Sequence, residues 1–175
     1  MKVKHTATSK DNIQIKIRMA AIDDLTAIND IYNYYVANST CTYQTNPETM
    51  EERYTWFNEH DKKYPIILAE NNGIVIGWAS ISRFKKREAY TPTVENSIYV
   101  RHDKLFKGIG AMLLKEIIKI AKEIGYHSLI AGISADQEVS IILHEKHGFT
   151  KVAHLKEVGH KFNKWLDVVY YQLFL

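Results

Sequence analysis

Hydrophobic residues along the chain follow two periods, a period of two that is typical of β-strands and one near 3.6 that is typical of α-helices. Seven alternating or short apolar stretches predict strands at residues 13–17, 66–69, 74–81, 93–100, 128–133, around 152 and at 166–173. Four stretches at helical spacing predict helices at residues 25–35, after Pro47, at 108–124 and at 136–147. This order predicts an α/β fold in one domain, with a mixed central sheet of about six to seven strands and helices on both faces.

The first twelve residues show neither period. Residues 1–12 are therefore predicted to be a polar N-terminal arm, and residues 13–175 the folded domain. A chain of 175 residues buries about 70% of the surface that its unfolded form exposes, so the core needs no disulfide or metal. The single cysteine, Cys41, has no partner for an internal disulfide, which suits a reducing cytoplasm as the predicted location.

Charge and hydropathy limit the classes of partner. No apolar run reaches the ~18 residues of a membrane span, and residues 1–10 lack the apolar segment of a secretory signal, so a membrane is not expected as a partner. Net charge is only +3, and the basic residues at 83–87 have no aromatic ladder around them. That cluster is either a solvated loop or a site for a charged ligand; nucleic acid is not expected. The histidines show no spacing with Cys or carboxylates that would predict a metal site.

The most informative motif is the turn Lys107-Gly108-Ile109-Gly110, which joins the strand ending at Val100 to the helix after it. A helix start leaves about four N–H groups unpaired and carries roughly half a positive charge, and glycines let a pyrophosphate approach the backbone. Because Leu113 breaks G-x-G-x-x-G and no G-x-x-x-x-G-K-[ST] occurs, dinucleotide and nucleoside triphosphate loops are not predicted. The turn is either an anion site or only a tight connection.

In this order of elements, the turn resembles the R/Q-x-x-G-x-G/A turn of the GNAT superfamily of acyl-CoA-dependent N-acyltransferases. Further segments are similar to the phosphinothricin acetyltransferase branch, which includes acetyltransferases of methionine sulfoximine and methionine sulfone. They include Thr93-Val94-Glu95, Leu143-His144-Glu145-Lys146, Gly148-Phe149 and Trp165-Leu166-Asp167. The similarity covers residues 15–173. Two departures are Leu105, where the family has Arg or Gln, and Gln137, where Asn is common.

The resemblance implies a single-domain GNAT-like fold, acetyl-CoA as co-substrate, a small-molecule amine as acceptor and a homodimer. It implies that the pyrophosphate of CoA lies on main-chain N–H groups of the turn, and that an N–H near residues 98–100 polarises the thioester. The expected cofactor-binding residues are Ile98, Tyr99, Val100, Phe106, Lys107, Gly108, Ile109, Gly110, Ala111, Gln137 and Ser140.

Acetyl transfer to an amine requires a group that removes the amine's proton. Glu95 is the candidate base, because a carboxylate within an otherwise apolar strand is costly unless it is partnered or faces a cavity, and because the resemblance places the family's catalytic glutamate here. A purely structural carboxylate is the alternative. His144 is the candidate acid, and its alternative is a packed histidine bonded to a backbone carbonyl. Direct transfer in a ternary complex is expected, without an intermediate on Cys41.

Substrate contacts are expected mainly on the loop ahead of Glu95 and beside the first helix, at Tyr43, Arg83, Glu88, Ala89, Tyr90 and Thr93. Arg83 is equally suited to the 3′-phosphate of CoA, and the tyrosines to ordinary packing. The predicted function is N-acetylation of a small L-amino-acid-like substrate of the phosphinothricin, methionine sulfoximine or methionine sulfone type. A protein or peptide N-acetyltransferase and a non-catalytic acyl-CoA-binding module are the alternatives.

Overall fold

The computed structural model describes residues 4–8, 14–103 and 108–175. The strands are β1 (Lys4–Thr8), β2 (Gln14–Met19), β3 (Ile66–Asn71), β4 (Ile74–Arg83), β5 (Thr93–Val100), β6 (Ser128–Ser134), β7 (Thr150–Lys161) and β8 (Lys164–Phe174). The α-helices are α1 (Leu25–Asn38), α2 (Met50–Asn58), α3 (Ile109–Ile124) and α4 (Glu138–Glu145). The strands form one sheet in the order β1-β2-β3-β4-β5-β6-β8-β7, in which β5 and β6 are parallel and the other neighbours antiparallel.

The predicted α/β fold, with a mixed sheet and helices on both faces, is confirmed, but the strand count is corrected from six or seven to eight. The additional strand is β1, which lies within the predicted polar arm and pairs with β2 from Lys4↔Arg18 to Thr8↔Gln14. An edge strand of this kind is held by main-chain hydrogen bonds and contributes little apolar side chain to the core. Its sequence therefore shows no hydrophobic period.

Two hydrophobic clusters hold the helices on opposite sides of the sheet. On the side called here the α3 face, Ile67, Ala79 and Val94 pack with α3 and with part of α4. On the opposite side, the α1 face, Leu68 and Trp78 pack with α1 and with aromatic residues of α2. Since successive side chains of a strand point to opposite faces, the continuous apolar run of β3 supplies both clusters. Within the described ranges, no helix has the length and hydrophobicity needed to cross a membrane.

Candidate active site

The sheet opens between its two parallel strands. β5 and β6 pair at Thr93↔Ser128, Val94↔Leu129 and Glu95↔Ile130, and their pairing stops there. Beyond that point β5 continues to Val100 along β4, while β6 continues to Ser134 along β8. The facing edges of the two strands therefore diverge, and their main-chain polar groups are available for a ligand.

The hydrogen-bond pattern of β5 identifies which main-chain groups face this gap. Arg101 N–H donates to the Ile76 carbonyl at 2.8 Å, on the side of β4. Because main-chain groups alternate sides along an antiparallel strand, those of Asn96, Ile98 and Val100 point toward β6. The Tyr35 hydroxyl donates to the Val100 carbonyl from the gap side, which agrees with this assignment.

A cavity of about 430 Å³ fills the gap, a size typical of small-molecule sites. Nine of the predicted cofactor residues line it, together with the predicted acid His144: Ile98, Tyr99, Val100, Gly108, Ile109, Gly110, Ala111, Gln137 and Ser140. The other two predictions, Phe106 and Lys107, lie outside the described residues, as does the departure at Leu105. The structure therefore brings the strand, the start of α3 and the start of α4 to one cavity.

The glycine turn meets the cavity at the N-terminus of α3. Gly108 is the N-cap, and its φ of 97° lies in the left-handed region, which disfavours any residue with a Cβ. As a glycine, the N-cap offers no side-chain acceptor, so Gly108 itself does not cap the N–H groups of the first helical turn. Gly110 differs, because an added Cβ would lie 3.4 Å from Leu143 Cδ2, an ordinary contact. Of these two glycines, only Gly108 has a backbone conformation that requires glycine.

Glu95 lies where the strands begin to part. Burial raises the pKa of its carboxyl above the ordinary 4.5, and the hydrogen bond that the Gly132 N–H donates to it opposes that rise. A Cβ on Gly132 would lie 3.0 Å from Glu95 Oε1, so the carboxylate approaches bare backbone at a residue that lines the cavity. Within the described part of the chain, no basic side chain forms an ion pair with Glu95.

His144 is held by protein groups at both ring nitrogens and is only 3% exposed. Its Nδ1 lies 2.8 Å from the Ser140 carbonyl oxygen, which can only accept, so Nδ1 carries the proton. Burial lowers the pKa of the ring, and the neutral Nε2 accepts from Asn96 Nδ2 at 3.1 Å. In this arrangement Nε2 carries no proton to release. This geometry fits the packed, carbonyl-bonded alternative, and it gives no support to the predicted acid role.

The predicted substrate residues are not among the residues that line the cavity, although Tyr43 contacts one of them, Ser134, and their role stays a prediction. Tyr43 donates its hydroxyl proton to the Asp167 carbonyl at 2.9 Å, with Ser134 Oγ at 3.1 Å, and its ring crosses Gly159. The other predicted contacts are on the surface or at the start of β5. Arg83 lies over the Tyr64 ring, Glu88–Tyr90 form a short 3-10 helix, and Thr93 Oγ1 is 3.2 Å from Ser128 Oγ.

A buried lysine fixes the loop that covers one side of the cavity. Lys161, at the end of β7, donates through Nζ to the carbonyls of Ser39 and Thr42 at 2.7 and 2.8 Å. Cys41 lies between those two residues and lines the cavity. Burial raises the pKa of the Cys41 thiol, which disfavours its thiolate form; transfer without an intermediate on Cys41 stays a prediction.

Tyr35 also lines the cavity, as expected for a tyrosine of the first helix that walls the pocket. Several further lining residues were not predicted, namely Cys41, Asn96, Ser97, Ala131, Gly132, Ile133, Ser134, Val139 and Leu143. The lining residues on β6 follow only from the parting of the two strands, because a strand that parts from β5 faces the same gap as Ile98 and Val100. Within the residues that the structure describes, no group of three or more His, Cys, Asp or Glu side chains has the geometry of a metal site.

Residues 17–170 match the family model described as "Acetyltransferase (GNAT) domain". The L-methionine sulfoximine/L-methionine sulfone acetyltransferase of Pseudomonas paraeruginosa is 38% identical, over 90% of this chain and 92% of its own. The L-amino acid N-acyltransferase MnaT of Escherichia coli K12 is 35% identical, over 91% of this chain and 93% of its own.

Two solved structures have the same fold. A GNAT phosphinothricin acetyltransferase (Pat) from Sinorhizobium meliloti, in complex with AcCoA, has a TM-score of 0.89 and 35% identity over 92% of this chain and 88% of that chain. A ribosomal-protein-alanine N-acetyltransferase from Brucella melitensis has a TM-score of 0.88 and 38% identity over 91% and 99%. The predicted resemblance to the superfamily and to the phosphinothricin branch is confirmed. The homodimer and the cytoplasmic location stay predictions.

Proposed function

Because the chain belongs to the GNAT acetyltransferase family and is thus an enzyme of acetyl transfer, we propose that it acetylates the amino group of a small L-amino-acid-like substrate with acetyl-CoA, by direct transfer in a ternary complex. The observation that carries the proposal is the cavity, which extends from the N-terminus of α3 to Asn96 and Gly132, where β5 and β6 part. Glu95 is not in the lining itself, but it accepts a hydrogen bond from the Gly132 N–H. The names of the relatives, L-amino acid N-acyltransferase and methionine sulfoximine/sulfone acetyltransferase, support the acceptor class.

The residues present suit acetyl-CoA. The first turn of α3, whose N-cap Gly108 has no side chain, offers main-chain N–H groups and a positive dipole end to the pyrophosphate. The main-chain groups of Ile98 and Val100 point into the gap, where they can bind the amides of the pantetheine arm or polarise the thioester carbonyl. Acetyl-CoA supplies the activated acyl group; every other contribution comes from the chain.

Glu95 is the proposed base. An amine acceptor is mostly protonated near neutral pH, and a carboxylate whose pKa is raised by burial is a stronger base than an exposed one. It takes the amine's proton, directly or through a water, and the freed lone pair attacks the thioester carbon. The Gly132 N–H keeps the carboxylate oriented at the edge of the gap. His144 has a different task, because its ring fixes the carboxamide of Asn96 at the cavity wall.

A substrate panel tests the proposal. The wild-type enzyme is incubated with acetyl-CoA and phosphinothricin, methionine sulfoximine, methionine sulfone or a peptide with an N-terminal alanine, and thiol release is followed. We expect release with at least one small amino-acid analogue. Release with the peptide alone would transfer the proposal to protein acetylation, the alternative that the name of the Brucella neighbour favours. A raised melting temperature with acetyl-CoA, but no release with any amine, would indicate a binding module.

A further inference from the structure

A second polar group faces the same side of the sheet as Glu95. Ser82 on β4 lies directly opposite Glu95 on β5 in the antiparallel register. Directly opposite residues point to the same face, with Cβ atoms about 4.5–5.5 Å apart. That face is the α1 face, because the equivalent pair Trp78↔Tyr99, four residues along, packs its rings there with centroids 4.7 Å apart.

The hydroxyl of Ser82 is fixed by a histidine that follows α2. His60 Nδ1 lies 2.8 Å from the Trp56 carbonyl, which only accepts, so Nδ1 carries the ring proton. Burial lowers the pKa of His60, so the ring is neutral and Nε2 is an acceptor. Nε2 lies 3.2 Å from Ser82 Oγ, and the Ser82 hydroxyl therefore donates to it. With its proton engaged in this way, Ser82 Oγ can only accept from a ligand.

The histidine itself is held firmly. Its ring packs on Trp56 at 4.4 Å between centroids, and Trp56 packs in turn on Trp78 of the sheet at 5.5 Å. The guanidinium of Arg53, buried on the same helix, stacks on Trp56 from 4.6 Å. The orientation of Ser82 is therefore set by a packed aromatic cluster and not by solvent.

We propose that Ser82 binds the amino group of the acceptor substrate, and that His60 is a positioning residue that keeps the Ser82 oxygen an acceptor. This inference rests on the proposed function, in which Glu95 receives the amine's proton. A primary amine presents two N–H donors and its ammonium form three, and Ser82 with Glu95 offers two acceptors side by side. An alcohol has one donor and can use only one of them. The pair therefore selects amines over alcohols.

The proton balance assigns different tasks to the two acceptors. The ammonium form of the acceptor gives one proton to Glu95, and the freed lone pair forms the bond to the acetyl carbon. When the C–S bond of the thioester breaks, the CoA thiolate takes up the second proton that leaves the nitrogen, so the products are the amide and the CoA thiol. Ser82 keeps its own proton in the hydrogen bond to His60 throughout. Loss of Ser82 should consequently weaken amine binding, whereas loss of Glu95 should slow the chemical step.

Ser82→Ala is the decisive variant. Loss of a hydrogen bond to a charged amine should raise the KM for the amine about tenfold or more, with the KM for acetyl-CoA unchanged. The melting temperature should fall, because His60 Nε2 loses its donor. Ser82→Thr retains the hydroxyl and should stay within about threefold of wild type. The matched control is Ser80→Ala, the same change on the same strand and face but opposite Ser97, and it should leave the KM for the amine unchanged.

The role of His60 is tested by His60→Phe alone and combined with Ser82→Ala. The single variant should raise the KM for the amine less than Ser82→Ala, and the double variant should be no worse than Ser82→Ala, because both changes act through one oxygen. An unchanged KM for the amine in an active Ser82→Ala enzyme overturns the inference and leaves the proposed function standing. If the effects of His60→Phe and Ser82→Ala on this KM add in the double variant, the positioning role of His60 is overturned. A wild-type enzyme that acetylates no amine overturns both.

Discussion

Glu95 and His144 were both predicted to be catalytic, but they lie on opposite faces of β5. Glu95 points to the α1 face, like Tyr99 on the same strand. His144 contacts Asn96, which points to the α3 face like Val94 and Ile98. Burial acts on both groups by favouring the neutral form, so it raises the pKa of Glu95 and lowers that of His144. The two side chains differ in whether they keep polar atoms that are not engaged by other protein groups.

That difference supports Glu95 as the proposed base and a positioning role for His144. Both ring nitrogens of His144 are engaged by protein atoms, and its ring packs edge-on against Phe149 at 5.0 Å. The Glu95 carboxylate accepts a hydrogen bond from the Gly132 N–H, which stabilises its charged form and lowers its pKa. Among the described residues it has no basic partner. A buried titratable group is thus a candidate for catalysis when lone pairs or protons are left for a substrate, and burial by itself is not sufficient.

Replacement of each residue by glutamine should give the largest contrast. Glu95→Gln removes the proposed base while keeping size and polarity, and we expect kcat to fall by ~10²–10⁴. His144→Gln keeps a polar side chain beside Asn96, and its kcat should fall far less than that range while its melting temperature falls. Steady-state kinetics and thermal melting of both variants provide the measurement. A fall in kcat for His144→Gln as large as for Glu95→Gln would restore His144 as a proton donor.

The two glycines of the turn also differ, because Gly108 is needed for the backbone conformation whereas Gly110 only lines the cavity. The expected effects are smaller than those at Glu95. Gly108→Ala forces a Cβ into the left-handed region at φ 97° and should destabilise the fold by about 1–2 kcal/mol in urea unfolding. Gly110→Ala meets Leu143 only at 3.4 Å, so its stability should be unchanged or higher, while its methyl enters the cavity lining and raises the KM for acetyl-CoA. Equal destabilisation by the two variants would contradict this assignment.

The sequence predicted the parts of the site that follow from local pattern. Ile98 and Val100 belong to a strand with strong periodicity, and Gly108 stands between strand and helix, so both the elements and their order could be derived. The edge strand β1 could not, because its pairing uses main-chain groups that every sequence shares. The parting of β5 from β6 is likewise a property of the sheet, and no residue type encodes it.

Side-chain roles were harder to predict than positions. The substrate role of Tyr43 stays a prediction: its hydroxyl bonds to the Asp167 carbonyl and contacts Ser134 of the cavity lining, and its ring crosses Gly159. Ser82 was not predicted at all, because a serine gains its orientation only from a histidine 22 positions away. Such roles depend on hydrogen-bond partners that are distant in sequence, and a single sequence does not show which distant residues come into contact.

The pH dependence of stability should show the smallest effect. It tests the comparison of Glu95 with His144 without any substrate. The folded-state pKa of Glu95 is raised, so the folded state holds its proton more tightly than the unfolded state, and stability falls as pH rises above about 4.5 toward that raised value. The pKa of His144 is lowered, so the unfolded state takes up the proton first, and stability falls as pH drops below about 6.5. The two residues thus give slopes of opposite sign.

Urea unfolding of wild type and of both glutamine variants between about pH 4 and 8 separates the two slopes. Relative to wild type, Glu95→Gln should gain stability as pH rises through the lower window, because the variant has no carboxylate to desolvate. His144→Gln should gain relative stability as pH falls through the upper window, because it has no ring to protonate on unfolding. Slopes of the same sign would mean that one of the two side chains is charged in the folded protein, and for His144 that would free Nε2–H as the proton donor which its present hydrogen bonds exclude.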